Sequence, residues 1–122
     1  MTDPRSERAR PPVPASLVTD LYELTMAATY QAEGIEHEAT FELFVRRLPA
    51  ERRFLVAAGL DDALAGLEEL SFAPHEVEYL AGLGLFSPRF LNHLAALRFT
   101  GEVWGVREGD MVFAGEPIVR VT

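Results

Sequence analysis

The residues best suited to chemistry lie near the start of the chain, in the stretch VTDLYELTM at positions 18–26. Asp20 and Tyr22 stand two positions apart, where an apolar-periodic helix is predicted to begin. A carboxylate can accept hydrogen bonds from a helix N-terminus, and an aromatic ring can pack in a hydrophobic core. Composition alone therefore favours a structural interpretation, with Asp20 as a cap and Tyr22 as a core residue.

A cluster of arginines is the second candidate site, because Arg46, Arg47, Arg52 and Arg53 fall within eight positions of an acidic chain. Guanidinium groups bind phosphate oxygens through paired hydrogen bonds, so this local reversal of charge indicates a phosphate site. The alternative is a solvated turn that pairs with nearby glutamates. Strand alternation directs Arg46 and Arg47 to opposite faces, so only part of the cluster could contact one ligand.

Several kinds of chemistry are excluded by composition. The chain has no cysteine, which excludes disulfides, zinc–thiolate sites and a thiol nucleophile. All eleven basic residues are arginine, which excludes a lysine Schiff base and a lysine that carries biotin or lipoate. The three histidines, His37, His75 and His93, lack the spacing of metal ligands. We therefore expect no metal site and no nucleophilic triad.

Size and charge narrow the class of protein further. The 122 residues suffice for one modest domain, and the net charge of −8 argues against general nucleic-acid binding. No apolar run approaches the ~20 residues that span a membrane, and the N-terminus has no secretory signal, so a cytoplasmic location is expected. Residues 1–15, with four prolines and no periodicity, are predicted to be a flexible tail before a domain at 16–122.

The first predicted helix carries two apolar stripes. Asp20 is its expected N-cap, Glu23 completes a capping box, and Gly34 is its expected stop. The first stripe contains Leu21, Leu24 and Ala28, and the adjacent stripe contains Tyr22, Met26 and Tyr30. One stripe is enough to seat a helix on its own core, so the second indicates contact with another domain or subunit. A helix buried in a large core explains the pattern equally well.

The remaining pattern predicts an α+β fold. A strand period covers 39–48, and 54–58 is either a short strand or the lead into a helix at 58–70. Further helices are predicted from Pro74 to Leu80 and after the pair Ser87–Pro88. The predicted C-terminal strands are 101–106, 110–113 and 117–122.

The C-terminal segment EGDMVFAGEPI is typical of barrel-sandwich hairpins, such as those of biotinyl and lipoyl domains. Without a lysine to modify, we interpret this segment as scaffold. The last predicted strand reaches Thr122 with no turn or cap after it. An unpaired strand edge is a liability, so we expect the natural domain to continue beyond this residue.

Five blocks of sequence, in order, resemble the N-terminal portion of nicotinate phosphoribosyltransferase. The resemblance covers nearly everything from Leu17 to Thr122. The blocks are LVTDLYELTM, ATFELFVRRLP, FLVAAGL, LGLFSPRFLNHL and FTGEVWGVREGDMVFAGEPIVRV.

The resemblance implies a reaction between nicotinate and 5-phosphoribosyl 1-diphosphate, which yields nicotinate mononucleotide and diphosphate in NAD salvage. It implies ATP hydrolysis with Mg²⁺ in the full-length enzyme. It also implies a homodimer whose active sites lie at the subunit interface. The N-terminal domain is implied to be α/β-hammerhead-like. Tyr22 matches the tyrosine that stacks on the pyridine ring, and Asp20 helps to position substrate groups. Arg46 and Arg47 match the R-R-L-P stretch, for which a phosphate role is implied.

The family's C-terminal α/β barrel has no counterpart in these 122 residues. The phosphorylated histidine and the groups that bind diphosphate lie in that barrel, so the chain resembles the first quarter to third of the enzyme. We expect it to bind neither ATP nor Mg²⁺ and to be inactive alone. Relatives that act on nicotinamide or quinolinate fit the blocks less well. The alternative function is a non-catalytic, barrel-sandwich-like protein-interaction module.

Overall fold

The computed structural model describes residues 15–122, so the predicted flexible tail at 1–15 lies almost entirely outside the described residues. The chain combines helices and strands, as predicted. In chain order the elements are α1 (Leu21–Glu33), β1 (Phe41–Phe44), β2 (Leu55–Val56), α2 (Leu60–Glu68), α3 (Pro74–Gly82), α4 (Pro88–Ala96), β3 (Val103–Gly105), β4 (Met111–Val112) and β5 (Pro117–Val121).

These elements form two compact units. The helical unit contains the described residues 15–35 and 70–97, and the strand unit contains 36–69 and 98–122. No helix in the described residues is both long enough and apolar enough to cross a membrane.

The helical unit packs α1, α3 and α4 around a small apolar core. The core depends on large side chains, of which Phe90 and Leu80 are almost completely buried. Leu24 is the contribution of α1 to this cluster, and Ala27 and Ala28 pack against it. The buried cluster consists of Leu24, Phe72, Leu80, Phe90 and Leu94.

Helix boundaries in this unit follow the predicted signals. Gly34 ends α1 with a φ of 66°, which a residue without a side chain adopts at no steric cost. The amide of Ile35 donates to the Tyr30 carbonyl at 2.9 Å, closing the glycine-ended turn. At α4 the Ser87 hydroxyl accepts from the Phe90 amide at 3.2 Å, which confirms the predicted cap.

A buried carboxylate holds the start of α3. Glu76 is 2% exposed, and its Oε2 accepts a hydrogen bond from the Ala73 amide at 2.6 Å. Its Oε1 accepts from the hydroxyl of Ser16, also at 2.6 Å, and Ser16 is 5% exposed. A buried charge is costly unless its oxygens are hydrogen-bonded, and here both oxygens have a donor.

The strand unit contains two antiparallel sheets, with strand orders β1–β5–β3 and β2–β4. β5 therefore lies between two partners, with Val121 opposite both Phe41 and Val103. Both edges of β5 are therefore paired within the described residues, so the unpaired edge considered in the sequence analysis does not occur at this strand. The alternative at 54–58 is decided in favour of a strand, since Leu55 pairs with Val112.

β1 is shorter than predicted, and its register shifts between Leu43 and Phe44, next to its partner Pro117. Proline lacks an amide hydrogen to donate to the ladder, which is consistent with an irregularity at this end. Phe41 and Leu43, the apolar positions of the predicted alternation, are exposed. The described residues therefore leave the apolar side of β1 uncovered.

The turn Glu108–Gly109–Asp110 holds the start of α2. Oε1 of Glu108 accepts from the amides of Gly59 and Leu60 at 2.7 and 2.6 Å. Gly109 has a φ of 88° and its amide donates to the Ala57 carbonyl at 2.8 Å. The EGD segment thus supports the strand unit, in agreement with its interpretation as scaffold.

The acid stability of the helical unit should depend on Glu76. The pKa of Glu76 lies below its ordinary value of 4.5, chiefly because the Ser16 hydroxyl donates to the carboxylate. Burial raises the pKa, whereas the Ala73 amide and the charge of His75 lower it. A lowered folded-state pKa contributes stability that is present above the unfolded-state pKa and is lost as the pH falls through the folded-state pKa.

We expect Glu76→Gln to reduce the free energy of unfolding by ~1–3 kcal/mol at neutral pH. The difference from the unmodified chain should shrink as the pH falls below 4.5. Urea unfolding followed by far-ultraviolet circular dichroism at a series of pH values measures both effects. Glu78→Gln, which alters an exposed carboxylate on the same helix, is the matched control. A difference that is constant with pH would contradict the assignment.

Candidate functional site

Tyr22, the residue that the resemblance assigns to the substrate ring, lies in the first turn of α1 and is 59% exposed. Met26 and Tyr30, one and two turns further along, are 45% and 46% exposed. Leu24, on the opposite side of the same helix, is only 9% exposed. The interpretation of Tyr22 as a core residue is therefore wrong, and the second stripe of α1 faces outward.

The membership of the buried stripe differs from the prediction at one position. Leu21 is 49% exposed, although the helical period places it in line with Leu24. The residues of α1 that contact the core are Leu24, Ala27 and Ala28. Leu24 is the first residue of α1 in the core, and Leu21 and Tyr22, which precede it in the same turn, are exposed.

Asp20 occupies the N-cap position, with the extended backbone typical of a cap, but its carboxylate makes no capping hydrogen bond. The predicted capping box between Asp20 and Glu23 is therefore wrong. The Glu23 carboxylate accepts instead from the hydroxyl of Thr19, one residue before the cap. Thr19 precedes the helix and lies four positions before Glu23 in the sequence.

The surface around Asp20 is an open depression. Its lining residues are Leu17, Val18, Thr19, Asp20 and Glu23. Tyr22 is not among them, so the ring lies on open surface beside the depression. Small-molecule sites usually enclose most of their ligand, so further walls would be required to complete a pocket here.

Arg46 and Arg47 lie in the strand unit, on the segment that follows β1, and both are exposed. This segment is fixed just before them, because the Val45 carbonyl accepts from the Gly115 amide at 2.8 Å. Arg52 and Arg53 are also exposed, after a turn in which the Arg52 amide donates to the Pro49 carbonyl. The cluster is thus accessible, and its phosphate role stays a prediction.

A pocket that the sequence did not suggest lies on the β1–β5–β3 sheet, where Glu42 and Trp104 flank Arg120. The register explains this grouping, since Arg120 is paired with Glu42 on one side and with Trp104 on the other. The guanidinium carbon of Arg120 lies 5.6 Å from the centroid of the Trp104 ring, within cation–π range. Strand alternation could have placed each residue on a face, but only the strand order brings them together.

The donor side chains of residues 15–122 do not form a metal-binding group. Within that range, no three histidine, aspartate or glutamate side chains converge closely enough to hold a metal ion. The candidate residues are an exposed ring and carboxylate at α1 in the helical unit and, separately, exposed guanidinium groups after β1 in the strand unit.

The chain is a mixed helix-and-sheet protein that presents an aromatic ring and a carboxylate on an open helix surface. Residues 17–122 match the sequence profile of the family described as the nicotinate phosphoribosyltransferase N-terminal domain. The chain belongs to this family, and the resemblance noted in the sequence is confirmed.

Proteins similar to this chain are also named nicotinate phosphoribosyltransferases. The chain is 48% identical over 106 residues to nicotinate phosphoribosyltransferase pncB2 of Mycobacterium tuberculosis, across 87% of this chain and 23% of the relative. It is 45% identical over 107 residues to the Bacillus subtilis nicotinate phosphoribosyltransferase, across 87% and 22%. The crystal structure of human nicotinic acid phosphoribosyltransferase is also similar, with a TM-score of 0.73 and 37% identity over 84% of this chain and 21% of the human chain.

The chain thus spans between a fifth and a quarter of the length of these relatives, slightly less than the quarter to third expected from sequence. The matched part contains Asp20, Tyr22, Arg46 and Arg47, because all four lie within residues 17–122.

The absence of a capping hydrogen bond at Asp20 gives a stability prediction. We expect Asp20→Ala to cost less free energy of unfolding than Ser87→Ala, because only the Ser87 side chain bonds to a helix amide. The loss at Ser87 should be ~1 kcal/mol. The loss at Asp20 should be limited to the helix-dipole interaction, at ~0.5 kcal/mol. Chemical denaturation of the two variants under identical conditions compares them, and equal losses would contradict the assignment.

Proposed function

We propose that this chain is the substrate-contacting N-terminal part of a nicotinate phosphoribosyltransferase. The complete enzyme joins nicotinate to 5-phosphoribosyl 1-diphosphate, giving nicotinate mononucleotide and diphosphate in cytoplasmic NAD salvage. Family membership over residues 17–122 supports the reaction class. The observation that carries the role of this chain is the outward position of Tyr22 on α1.

Tyr22 provides a flat ring for a flat substrate. Offset stacking between two aromatic rings contributes ~0.5–1.5 kcal/mol beyond the burial of their surfaces, and the pyridine of nicotinate is such a ring. The ring of Tyr22 is available for this contact because it lies on the side of α1 that faces away from Leu24 and the core. Asp20 precedes it by two residues, and its carboxylate makes no capping hydrogen bond that would occupy it.

The remaining walls of the pocket come from a second subunit in this proposal. Tyr22, Met26 and Tyr30 form one exposed stripe on α1, and a helix that is apolar on two sides is usually covered on both. A homodimer in which this stripe faces the partner's barrel would cover the stripe and enclose the substrate together. The incomplete depression beside Asp20 is consistent with a site that needs such a partner.

Other family properties form part of the same proposal. Arg46 and Arg47 would contact phosphate oxygens of 5-phosphoribosyl 1-diphosphate, for which their exposure leaves them accessible. The β1–β5–β3 and β2–β4 sheets with α2 would correspond to the hammerhead-like domain. ATP hydrolysis with Mg²⁺ belongs to the whole enzyme. The described residues lack a set of donors that fits the metal.

The alternative of a non-catalytic interaction module gains no specific support. Its sequence basis was the hairpin pattern EGDMVFAGEPI, and Glu108 and Gly109 of that pattern serve the start of α2. The relatives described above share this segment of the chain within proteins named as transferases.

Residues 1–122 alone should not convert nicotinate and 5-phosphoribosyl 1-diphosphate to the mononucleotide, with or without ATP. The chain spans about a fifth of its relatives, and groups that stabilise the transition state lie outside it in this proposal. Product formation by the purified chain is measured by chromatography, beside the full-length Bacillus subtilis relative as a positive control. Turnover above the no-enzyme background would overturn this assignment.

A domain-exchanged enzyme tests the role of Tyr22. In this protein, residues 15–122 replace the N-terminal segment of the Mycobacterium tuberculosis relative, which is 48% identical over 106 residues. Tyr22→Ala should raise the KM for nicotinate about tenfold with little change in stability, because it removes stacking from an exposed ring. Tyr22→Phe, which keeps the ring, should leave the KM within about twofold of the parent.

Tyr79→Ala is the matched control, because Tyr79 is an equally exposed tyrosine on α3, in the same unit. Its KM should stay at the parent value. A normal KM in Tyr22→Ala together with a lower melting temperature would show that Tyr22 is only structural. Lack of activity in the domain-exchanged parent would count against the proposed function itself.

A further inference from the structure

The N-terminal end of α1 is held from two sides within the helical unit. On the apolar side, Leu24 enters the core and Leu17 packs against it. On the polar side, Ser16 donates its hydroxyl hydrogen to Glu76 at 2.6 Å. Residues 18–22, which include Asp20 and Tyr22, are exposed and lie between these two points of attachment.

The Ser16–Glu76 contact has the properties of a rigid attachment. Both residues are almost fully buried, and they are sixty positions apart in sequence. The second oxygen of Glu76 is bonded to the Ala73 amide at 2.6 Å, so the carboxylate cannot rotate without losing a hydrogen bond. A hydrogen bond to a charged and buried group is stronger than one between neutral groups.

We propose that Ser16 and Glu76 are positioning residues for the substrate site, which hold the first turn of α1 so that Tyr22 is presented to the pyridine ring. The effect on substrate binding rests on the proposed function. The effect on the order of the first turn of α1 does not, because it concerns only contacts within the helical unit. Neither residue contacts substrate, since Glu76 is 2% and Ser16 5% exposed.

The reason for a second attachment lies in the position of the core. Leu24 is the first residue of α1 in the buried cluster and Leu17 packs against it from before the helix, but none of residues 18–22 between them belongs to the core. Asp20 does not cap the helix through its side chain, which removes another source of order at this end. Without Ser16 and Glu76, this turn would fray, and stacking requires that the ring be held close to its bound position.

Hydrogen exchange tests the structural part of the inference in the 1–122 chain. The amides of Thr25 and Met26 close the first turn of α1, because helix amides bond four residues back. Ser16→Ala should accelerate their exchange about tenfold through local opening and leave the start of α4 unchanged. Ser87→Ala, the matched control, should accelerate exchange at Leu91, whose amide bonds to the Ser87 carbonyl, and leave α1 unchanged. Unchanged exchange at Thr25 and Met26 in Ser16→Ala overturns the inference.

Kinetics of the domain-exchanged enzyme test the catalytic part. Ser16→Ala should raise the KM for nicotinate about fivefold with kcat within about twofold, because weaker stacking lowers binding in ground and transition states alike. Ser87→Ala should change neither value. In the Tyr22→Ala background, Ser16→Ala should have no further effect on KM, since the group that it positions is missing.

The kinetic outcomes separate the two proposals. An effect of Ser16→Ala that is equal in both backgrounds, or absent from both, overturns the positioning role and leaves the function of Tyr22 intact. If Tyr22→Ala itself has a normal KM, the proposed substrate contact fails instead. Glu76→Gln, which alters the acceptor, should reproduce the KM effect of Ser16→Ala, and Glu78→Gln should not.

Discussion

The packing of one face of α1 against the helical core is the constraint on which the candidate site depends. Leu24 with Ala27 and Ala28 secures this face, and the opposite stripe of Tyr22, Met26 and Tyr30 is thereby turned outward. A helix cannot bury both stripes against a core that lies on one side only. The position of a small apolar cluster therefore decides which aromatic rings can contact another molecule.

Side-chain carboxylates and hydroxyls accept hydrogen bonds from backbone amides at the starts of three helices. Glu108 accepts from the first amides of α2, Ser87 accepts from an amide of α4, and Glu76 accepts from Ala73 at α3. Glu108 and Glu76 also join segments that are distant in the chain, whereas Ser87 satisfies an amide of its own helix end. In the case of Glu76 the joined segment leads directly into the candidate site, so the same contact serves stability and geometry.

The candidate site is open in the described residues, and this openness is consistent with the short span of the chain relative to the family. The residues that match the family lie on two units, with Asp20 and Tyr22 in the helical unit and Arg46 and Arg47 in the strand unit. Each set is exposed, and neither is enclosed by its own unit. Exposed aromatic and apolar side chains, including those of β1, are the kind of surface at which proteins contact other molecules.

Local signals in the sequence were sufficient for most of the secondary structure. Pro88 after Ser87 located the start of α4, and Gly34 located the end of α1, because caps and left-handed turns depend on a few neighbouring residues. The family was also recognisable from five ordered blocks, which the profile match over residues 17–122 confirms. The exposure of Tyr22 was not decided by sequence, since a buried ring and an outward ring have the same helical period.

Contacts distant in sequence were decided only by the tertiary structure. One local contact was also left undecided by the sequence, since the Glu23 carboxylate accepts from Thr19 where a capping box with Asp20 was predicted. The pairing of β5 on both sides, the approach of Ser16 to Glu76 and the grouping of Glu42, Trp104 and Arg120 each join distant parts of the chain. The sequence by itself thus determined the helices, the turns and the family. The tertiary structure alone decided which side chains are buried and which face outward. Burial depends on contacts between distant segments, and a local sequence pattern does not specify those contacts.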